Sequence, residues 1–179
     1  MKNILKLLVP KKYRVMYWRY RASRDFEREQ AIIDIMSDQF NTKESGSFID
    51  VGSNVGSWSD YATNKFENIY AFECNKDLYR YLKKKFSNKK IEIINEALGN
   101  YRGENEFYIP IHNGNVQEAR ASLIKPQNKN YEKQTIKVNT LDNHNFNNVK
   151  CIKIDVEGAE LEVLLGGINT IKKFTPVII

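Results

Sequence analysis

Short apolar runs alternate with amphipathic stretches over residues 48–98, and this alternation constrains the fold more than any other feature of the sequence. Each apolar run is short enough to be a strand that is buried on both faces of a sheet. Strands joined by helices in this way form a mostly parallel sheet, so the sequence predicts an α/β fold. The predicted strands are residues 48–51, 69–72 and 91–94. The first predicted helix is residues 57–66. The second is capped by Asn75 and has Leu78, Leu82 and Phe86 on one face.

The alternation stops after Leu98, where an antiparallel insertion is predicted. Residues 106–109 and 135–141 are its two strands. The polar segment 112–134 between them is predicted to be a lid on the substrate side, because such a long connection within a compact domain is usually functional or mobile. The parallel pattern then resumes with a strand at 149–154, a helix at 159–165 that Gly166 and Gly167 end, and a last strand at 177–179.

The net charge of +6 comes from an N-terminal arm, residues 1–24, which holds eight basic side chains and no acidic one. The rest of the chain has 20 basic and 22 acidic side chains, a net charge of −2. This distribution predicts no nucleic-acid partner. The arm also carries apolar and aromatic residues, which leaves two interpretations open. Either the arm lies on an anionic membrane surface or a partner, or it packs its aromatics on the domain and leaves its charges in water.

The chain is predicted to have two parts. Residues 1–47 contain the basic arm, a leading helix at 23–40 and a polar loop at 41–47, and residues 48–179 form the α/β domain. No apolar run reaches the roughly 18 to 20 residues that a membrane-spanning helix needs. The N-terminus also lacks the pattern of a secretory signal peptide. We therefore predict a soluble cytoplasmic protein, located at the inner membrane surface if the arm binds lipid.

A loop with two glycines, from Asp50 to Gly56, follows the first predicted strand at the place where α/β proteins bind ligands. Gly52 and Gly56 allow a sharp turn and a close approach of the backbone to a ligand. Glu73, at the end of the second strand, can accept both hydroxyls of an adenosine ribose, because an ionised carboxylate has two acceptor oxygens. The loop and Glu73 together predict a nucleoside cofactor.

The spacing of the loop favours S-adenosylmethionine over a dinucleotide. A pyrophosphate-binding turn has three glycines as GxGxxG, whereas residues 52–56 read GSNVG and have two. Asp50 would repel a pyrophosphate, but it can attract the ammonium and sulfonium groups of adenosylmethionine. A tight turn that binds no ligand remains the alternative.

Asp155 and Glu157 follow the strand at 149–154 and are the candidate catalytic residues. Residues two apart on a strand point to the same side, so both carboxylates are expected to face the cofactor crevice. Either could accept the proton of a hydroxyl substrate or bind a divalent ion, although the sequence indicates no metal site. Alternatively, one of them caps the following helix at Gly158.

Two further polar residues bear on the predicted site. His112, in the predicted lid, is a weak candidate for a base or a substrate contact. Glu160 is interpreted as a solvated helix residue.

Six sequence motifs, in order and covering residues 48 to about 179, resemble the FkbM-type family of S-adenosylmethionine-dependent methyltransferases. The last of them is the most specific, whereas the first alone would indicate only a class I methyltransferase. The motifs are FIDVGSNVGSWS (48–59), YAFECNKDLYRYL (70–82), EALGNYRGENEFY (96–108), ASL (121–123), NTLD (139–142) and KIDVEGAELEVLLGG (153–167).

The resemblance implies a Rossmann-like class I methyltransferase fold over residues 48–179 and O-methylation of a hydroxyl, often on a sugar, a glycan or a secondary metabolite. It implies cofactor contacts within the loop and at the ends of the second and third strands. These positions are Asp50, Gly52, Ser53, Asn54, Gly56 and Glu73, with Glu96 and Ala97 near the adenine. Ser122, in the ASL motif of the predicted lid, is implied as a weak candidate for a substrate contact.

The resemblance also implies seven strands, whereas five core strands are predicted here. A chain that stopped inside an apolar strand would leave an unprotected sheet edge, so we expect a form truncated after the fifth core strand. Two alternative functions stay open. The chain could be an RNA or protein methyltransferase, or a non-catalytic module that binds the cofactor or a membrane.

Overall fold

The computed structural model describes residues 39–40, 43–112, 115–116 and 130–179. The arm at 1–24, Ser122, almost all of the predicted leading helix and most of the predicted lid lie outside these residues. In chain order the described elements are β1 (Glu44–Val51), α1 (Ser57–Ala62), β2 (Phe66–Phe72), α2 (Lys76–Lys85), β3 (Ile91–Ile94), β4 (Ala97–Leu98), β5 (Gly103–His112), β6 (Asn115–Val116), β7 (Tyr131–Asn139), a 3-10 turn (Leu141–Asn143), β8 (Val149–Ile154), α3 (Glu160–Leu165), α4 (Ile168–Phe174) and β9 (Val177–Ile178).

Five parallel strands form the central sheet in the order β3, β2, β1, β8, β9. The chain runs from β1 outward to β3 on one side and returns as β8 on the other side of β1. A reversal of strand order of this kind opens a crevice at the carboxyl ends of the two central strands. The α/β prediction is confirmed, and the predicted bounds of β3 and β8 agree with the structure.

The central strands are apolar because both of their faces are covered. Phe48 and Ile49, which are adjacent on β1, are both fully buried, but they belong to two different core clusters on opposite faces of the sheet. Side chains that alternate between two buried faces give a continuous apolar run, which is how the strands were found in the sequence.

A second sheet, with the order β4, β7, β5, β6, contains the predicted antiparallel insertion. β5 and β7 pair antiparallel from Gly103 with Val138 to Pro110 with Tyr131. β5 extends beyond its predicted bounds at both ends, whereas β7 begins earlier than predicted and ends at Asn139, before the predicted end at 141. Residues 131–134 belong to β7 and not to a lid, which corrects that end of the predicted segment. His112 is the last residue of β5.

The loop predicted at 41–47 is wrong from Glu44 onward, because β1 begins there. The polar residues of this stretch are accommodated by pairing with strands on both sides. The hydroxyl of Ser47, which is fully buried, donates to the carbonyl of Asn147 at 2.6 Å. Burial of a polar segment costs little when its groups are hydrogen-bonded.

The helix predicted at 57–66 ends early, at Ala62, and Phe66 is the first residue of β2. Phe66 is buried and packs edge-on against Phe40, with ring centroids 4.9 Å apart. Its apolar side chain therefore belongs to the sheet core and not to the helix face, a distinction that helical spacing alone cannot make.

A helix that the sequence did not predict, α4, directly follows Gly166 and Gly167. Its first N–H groups are capped by Asp142, whose two carboxylate oxygens accept from Asn169 N at 3.0 Å and from Thr170 N at 2.7 Å. The cap comes from a residue 27 positions away in the sequence. No local signal therefore marked the start of α4.

Candidate cofactor site

An open cavity lies at the carboxyl ends of the central strands, where β1 and β8 separate. It encloses about 740 Å³, open solvent included. Its lining comes from both sheets and from the loops after β1, β2 and β8. The lining residues are Val51, Gly52, Asn54, Phe72, Glu73, Cys74, Asn75, Leu78, Glu96, Ala97, Leu98, Phe107, Asp155, Val156, Glu157 and Ala159.

Five of the eight predicted cofactor contacts border this cavity, namely Gly52, Asn54, Glu73, Glu96 and Ala97. The other three, Asp50, Ser53 and Gly56, do not. The sequence missed the apolar part of the lining, notably Phe107 from the second sheet. Phe107 is buried on an alternating strand, but nothing in the sequence placed that strand beside the cofactor loop.

The loop after β1 turns through left-handed backbone at Gly52 (φ 77°), Asn54 (φ 49°) and Gly56 (φ 75°). The predicted sharp turn is therefore present, but the protein itself explains both glycines. A Cβ at Gly52 would lie 2.0 Å from the carbonyl oxygen of Asp155. A Cβ at Gly56 would lie 2.6 Å from the ring of Phe86 on α2. Close packing within the protein, together with the left-handed backbone, is enough to require glycine at these two positions.

Asp50 is fully buried beneath the loop and does not face the cavity. One carboxylate oxygen accepts from the Ser59 hydroxyl at 2.7 Å, and the other lies 3.4 Å from Lys153 Nζ. The carboxylate of Asp50, at which the sequence predicted a cofactor contact, is therefore engaged within the protein and lies outside the cavity lining. Ser53 is also turned inward, since its hydroxyl donates to the carbonyl of Phe72 at 3.3 Å.

Lys153, which the sequence reasoning missed, joins the loop after β1 to the loop after β8. Its ammonium donates to the carbonyl of Gly52 at 3.1 Å and lies 3.6 Å from a carboxylate oxygen of Asp155. Only 10% of its side chain is exposed. A lysine near the end of a strand that is buried at Val149, Cys151 and Ile152 was the available signal, because a buried charge needs a partner.

Glu73 lies at the end of β2, almost fully buried in the cavity wall. Its two carboxylate oxygens accept one backbone N–H each, from Asn54 at 2.8 Å and from Asn75 at 2.8 Å. Each oxygen keeps a further lone pair that can accept from a ligand hydroxyl. Burial raises the pKa of Glu73 to about 7, against the lowering effect of the two hydrogen bonds and of Lys153.

This raised pKa gives an expected pH dependence of stability. Between about pH 4.5 and 7 the folded protein binds more protons at Glu73 than the unfolded chain does, so the free energy of unfolding falls as the pH rises, by up to about 3 kcal/mol. Urea unfolding across this range should show the decrease in the wild type and not in Glu73→Ala. The exposed Glu104→Ala is the matched control. Equal pH dependence in the wild type and Glu73→Ala would contradict the assignment.

Glu96 borders the cavity and is held by the second sheet. It accepts from the ammonium of Lys137 and, at 3.0 Å, from the amide of Asn139. Partial burial acts to raise the pKa of Glu96, but these hydrogen bonds hold it below its ordinary value. His144 Nε2 lies 3.3 Å from the same carboxylate. Burial lowers the pKa of His144, although Glu96 opposes this effect.

Asp155 and Glu157 both border the cavity, but not for the predicted reason. β8 ends at Ile154, so strand alternation does not orient them, and Glu157 adopts left-handed backbone with φ 54°. Both residues are exposed. The carboxylate that accepts from the Gly158 N–H, at 3.1 Å, belongs to Glu160. Glu160 therefore holds the loop before α3 by accepting from its backbone N–H groups, and it is not simply a solvated residue.

The described residues contain no cluster of three or more His, Cys, Asp or Glu side chains that could hold a metal ion. Within the same residues, none of the helices has the length and apolarity needed to cross a bilayer.

The parallel sheet, the loop after β1 and the carboxylate at the end of β2 define a Rossmann-like α/β domain whose cavity lies at the reversal of strand order. The sequence model of the methyltransferase FkbM domain matches residues 50–179. The chain therefore belongs to the FkbM methyltransferase family, and the resemblance found in the motifs is confirmed.

The fold is similar to that of a crystal structure of methyltransferase FkbM from Methylobacillus flagellatus KT, with a TM-score of 0.53 and 18% sequence identity. The match covers 75% of this chain and 32% of the other, so the chain spans about a third of the length of that protein. No curated protein matches the chain.

Proposed function

We propose that the protein binds S-adenosylmethionine in this cavity and transfers its methyl group to a hydroxyl of a small molecule or a glycan. The observation that carries the choice of cofactor is the charge of the cavity. Four acidic side chains line it, from Glu73, Glu96, Asp155 and Glu157, and no Lys or Arg is among the described lining residues. Glu73 is only partly ionised at neutral pH, because burial raises its pKa to about 7, so most of the negative charge comes from the other three. Such a lining attracts the sulfonium and ammonium of adenosylmethionine and repels the pyrophosphate of a dinucleotide.

Glu73 is proposed to hold the ribose. Its carboxylate is fixed on both sides by backbone N–H groups, so it needs no rearrangement to accept ribose hydroxyls. Glu96 and Ala97, at the start of the second sheet, are proposed to lie beside the adenine. Leu98 and Phe107 offer apolar surface in the same part of the lining, which suits an aromatic base.

The acceptor hydroxyl is proposed to enter on the side of Asp155 and Glu157. Methyl transfer from a sulfonium is an in-line displacement, so much of the rate enhancement comes from aligning the nucleophile with the methyl carbon. A carboxylate at the cavity rim can accept the hydroxyl proton as the new bond forms. Asp155 is the better positioned of the two, because Lys153 lies 3.6 Å from its carboxylate and holds it near the loop.

Calorimetric titration with S-adenosylmethionine and with NAD tests the cofactor proposal. The wild type should bind the first and not the second. Glu73→Ala should bind adenosylmethionine more weakly by about 1–3 kcal/mol, whereas Glu104→Ala, an exposed glutamate outside the cavity, should bind as the wild type does. Failure of the wild type to bind adenosylmethionine would reject the proposal.

Methyl acceptance is tested separately with radiolabelled adenosylmethionine against a panel of sugar nucleotides, glycans, RNA and protein. Transfer to a sugar or another small hydroxyl compound is expected. Transfer only to RNA or protein would replace the proposed acceptor class. Cofactor binding without any transfer would favour the non-catalytic alternative.

A further inference from the structure

Asn75 lies in the cavity wall between Glu73 and the start of α2, and only 1% of it is exposed. Its side-chain oxygen caps α2 by accepting from Asp77 N at 2.9 Å and from Leu78 N at 3.5 Å. These two bonds fix which end of the amide is oxygen, because only the oxygen can accept. The NH₂ group must therefore point away from the helix.

That NH₂ group is a donor without an acceptor. Asn75 Nδ2 is buried and has no hydrogen-bond partner among the residues that the structure describes. Leaving a buried donor unsatisfied is unfavourable, so such a group in a cavity wall indicates that something else supplies the acceptor. α2 itself does not need the NH₂ group, since its cap uses only the oxygen.

Asn75 and Glu73 form one unit in the wall. The backbone N–H of Asn75 donates to Glu73 Oε1 at 2.8 Å, which fixes the main chain of Asn75 beside the carboxylate proposed to hold the ribose. A hydroxyl is both a donor and an acceptor. A ribose hydroxyl that donates to Glu73 still offers its oxygen lone pairs, and a carboxylate cannot use them.

We propose that Asn75 is a cofactor-binding residue whose NH₂ group donates to the oxygen of the ribose hydroxyl that donates to Glu73. Glu73 then accepts the proton of this hydroxyl, and Asn75 donates to its oxygen. The hydrogen bonds that cap α2 hold the side-chain amide of Asn75 in the required orientation before the ligand binds. This inference rests on the proposed use of an adenosyl cofactor.

The test compares Asn75→Ser and Asn75→Thr with the wild type by calorimetry, using S-adenosylhomocysteine and its 2′-deoxy and 3′-deoxy analogues. Both substitutions keep a side-chain oxygen that can cap α2, and both remove the amide. We expect unchanged thermal unfolding and an affinity for S-adenosylhomocysteine that is about five- to tenfold lower. For the analogue that lacks the contacted hydroxyl, wild type and variants should bind alike, because the interaction is already absent.

Wild-type affinity for S-adenosylhomocysteine in both variants would overturn the role of Asn75. So would the same loss for all three ligands, because that pattern would report a general change in the wall. If the wild type itself binds no S-adenosylhomocysteine, the proposed function fails first, and this inference fails with it.

Discussion

Replacing Lys153 with Met is expected to lower the free energy of unfolding by about 3–5 kcal/mol, because it leaves the fully buried carboxylate of Asp50 without its cation. The pair lies at 3.4 Å under the loop after β1. The Ser59 hydroxyl would remain as the neutral partner of Asp50. Met fills nearly the same volume as Lys, so the loss would come from charge and not from a cavity. Urea unfolding at pH 7 measures the effect.

The double variant Asp50→Asn with Lys153→Met separates charge from packing. It removes both charges, and an amide at position 50 can still accept from Ser59. We expect it to recover much of the stability that Lys153→Met loses. Lys172→Met, on the exposed side of α4, should change stability by no more than about 0.5 kcal/mol. A loss below about 1 kcal/mol in Lys153→Met would show that the ion pair does not hold the loop.

Gly52→Ala is expected to be the other severe substitution, with a loss of more than about 4 kcal/mol or a failure to fold. Two costs add at this position. The backbone is left-handed with φ 77°, and the new Cβ would lie 2.0 Å from the carbonyl oxygen of Asp155. No rotamer relieves the clash, because the backbone fixes the position of the Cβ and the carbonyl oxygen is itself a backbone atom.

Gly103→Ala is the matched control for Gly52→Ala. A Cβ at Gly103 would lie 3.7 Å from its nearest neighbour, the ring of Tyr101, which is ordinary contact. Gly103 also lacks the positive φ that Gly52 has. Thermal unfolding of the two variants should therefore differ widely. Similar melting temperatures would mean that the loop after β8 can move away from Gly52.

The sequence predicted those parts of the fold that depend on neighbouring residues. β3 and β8 agree with their predicted bounds, because a strand buried on both faces is an uninterrupted apolar run. The cap of α2 could also be predicted from the sequence, because Asn75 bonds to N–H groups only two and three positions later. Parts that depend on distant residues were missed. α4 begins where Asp142 caps it from 27 positions away.

The same distinction between neighbouring and distant residues applies to the candidate site. Glu73 was found because its position at the end of an apolar strand is local information. The inward direction of Asp50 was not, because it depends on Lys153, which lies on a strand that becomes its neighbour only in the folded sheet. The glycines of the loop were located correctly, and the predicted sharp turn is present. Their close packing was not predicted, since the neighbours, Asp155 and Phe86, come from other parts of the chain.

The contact between Gly52 and Asp155 has a mechanical consequence. Asp155 donates its backbone N–H to Val51 at 3.0 Å, and its carbonyl fills the space beside Gly52, so the two loops are anchored to each other through main chain. A methyl donor and its acceptor must be aligned closely for an in-line reaction. If the donor rests on the first loop and the acceptor on the second, folding sets the spacing between them, and the loops cannot drift apart independently while a substrate is exchanged.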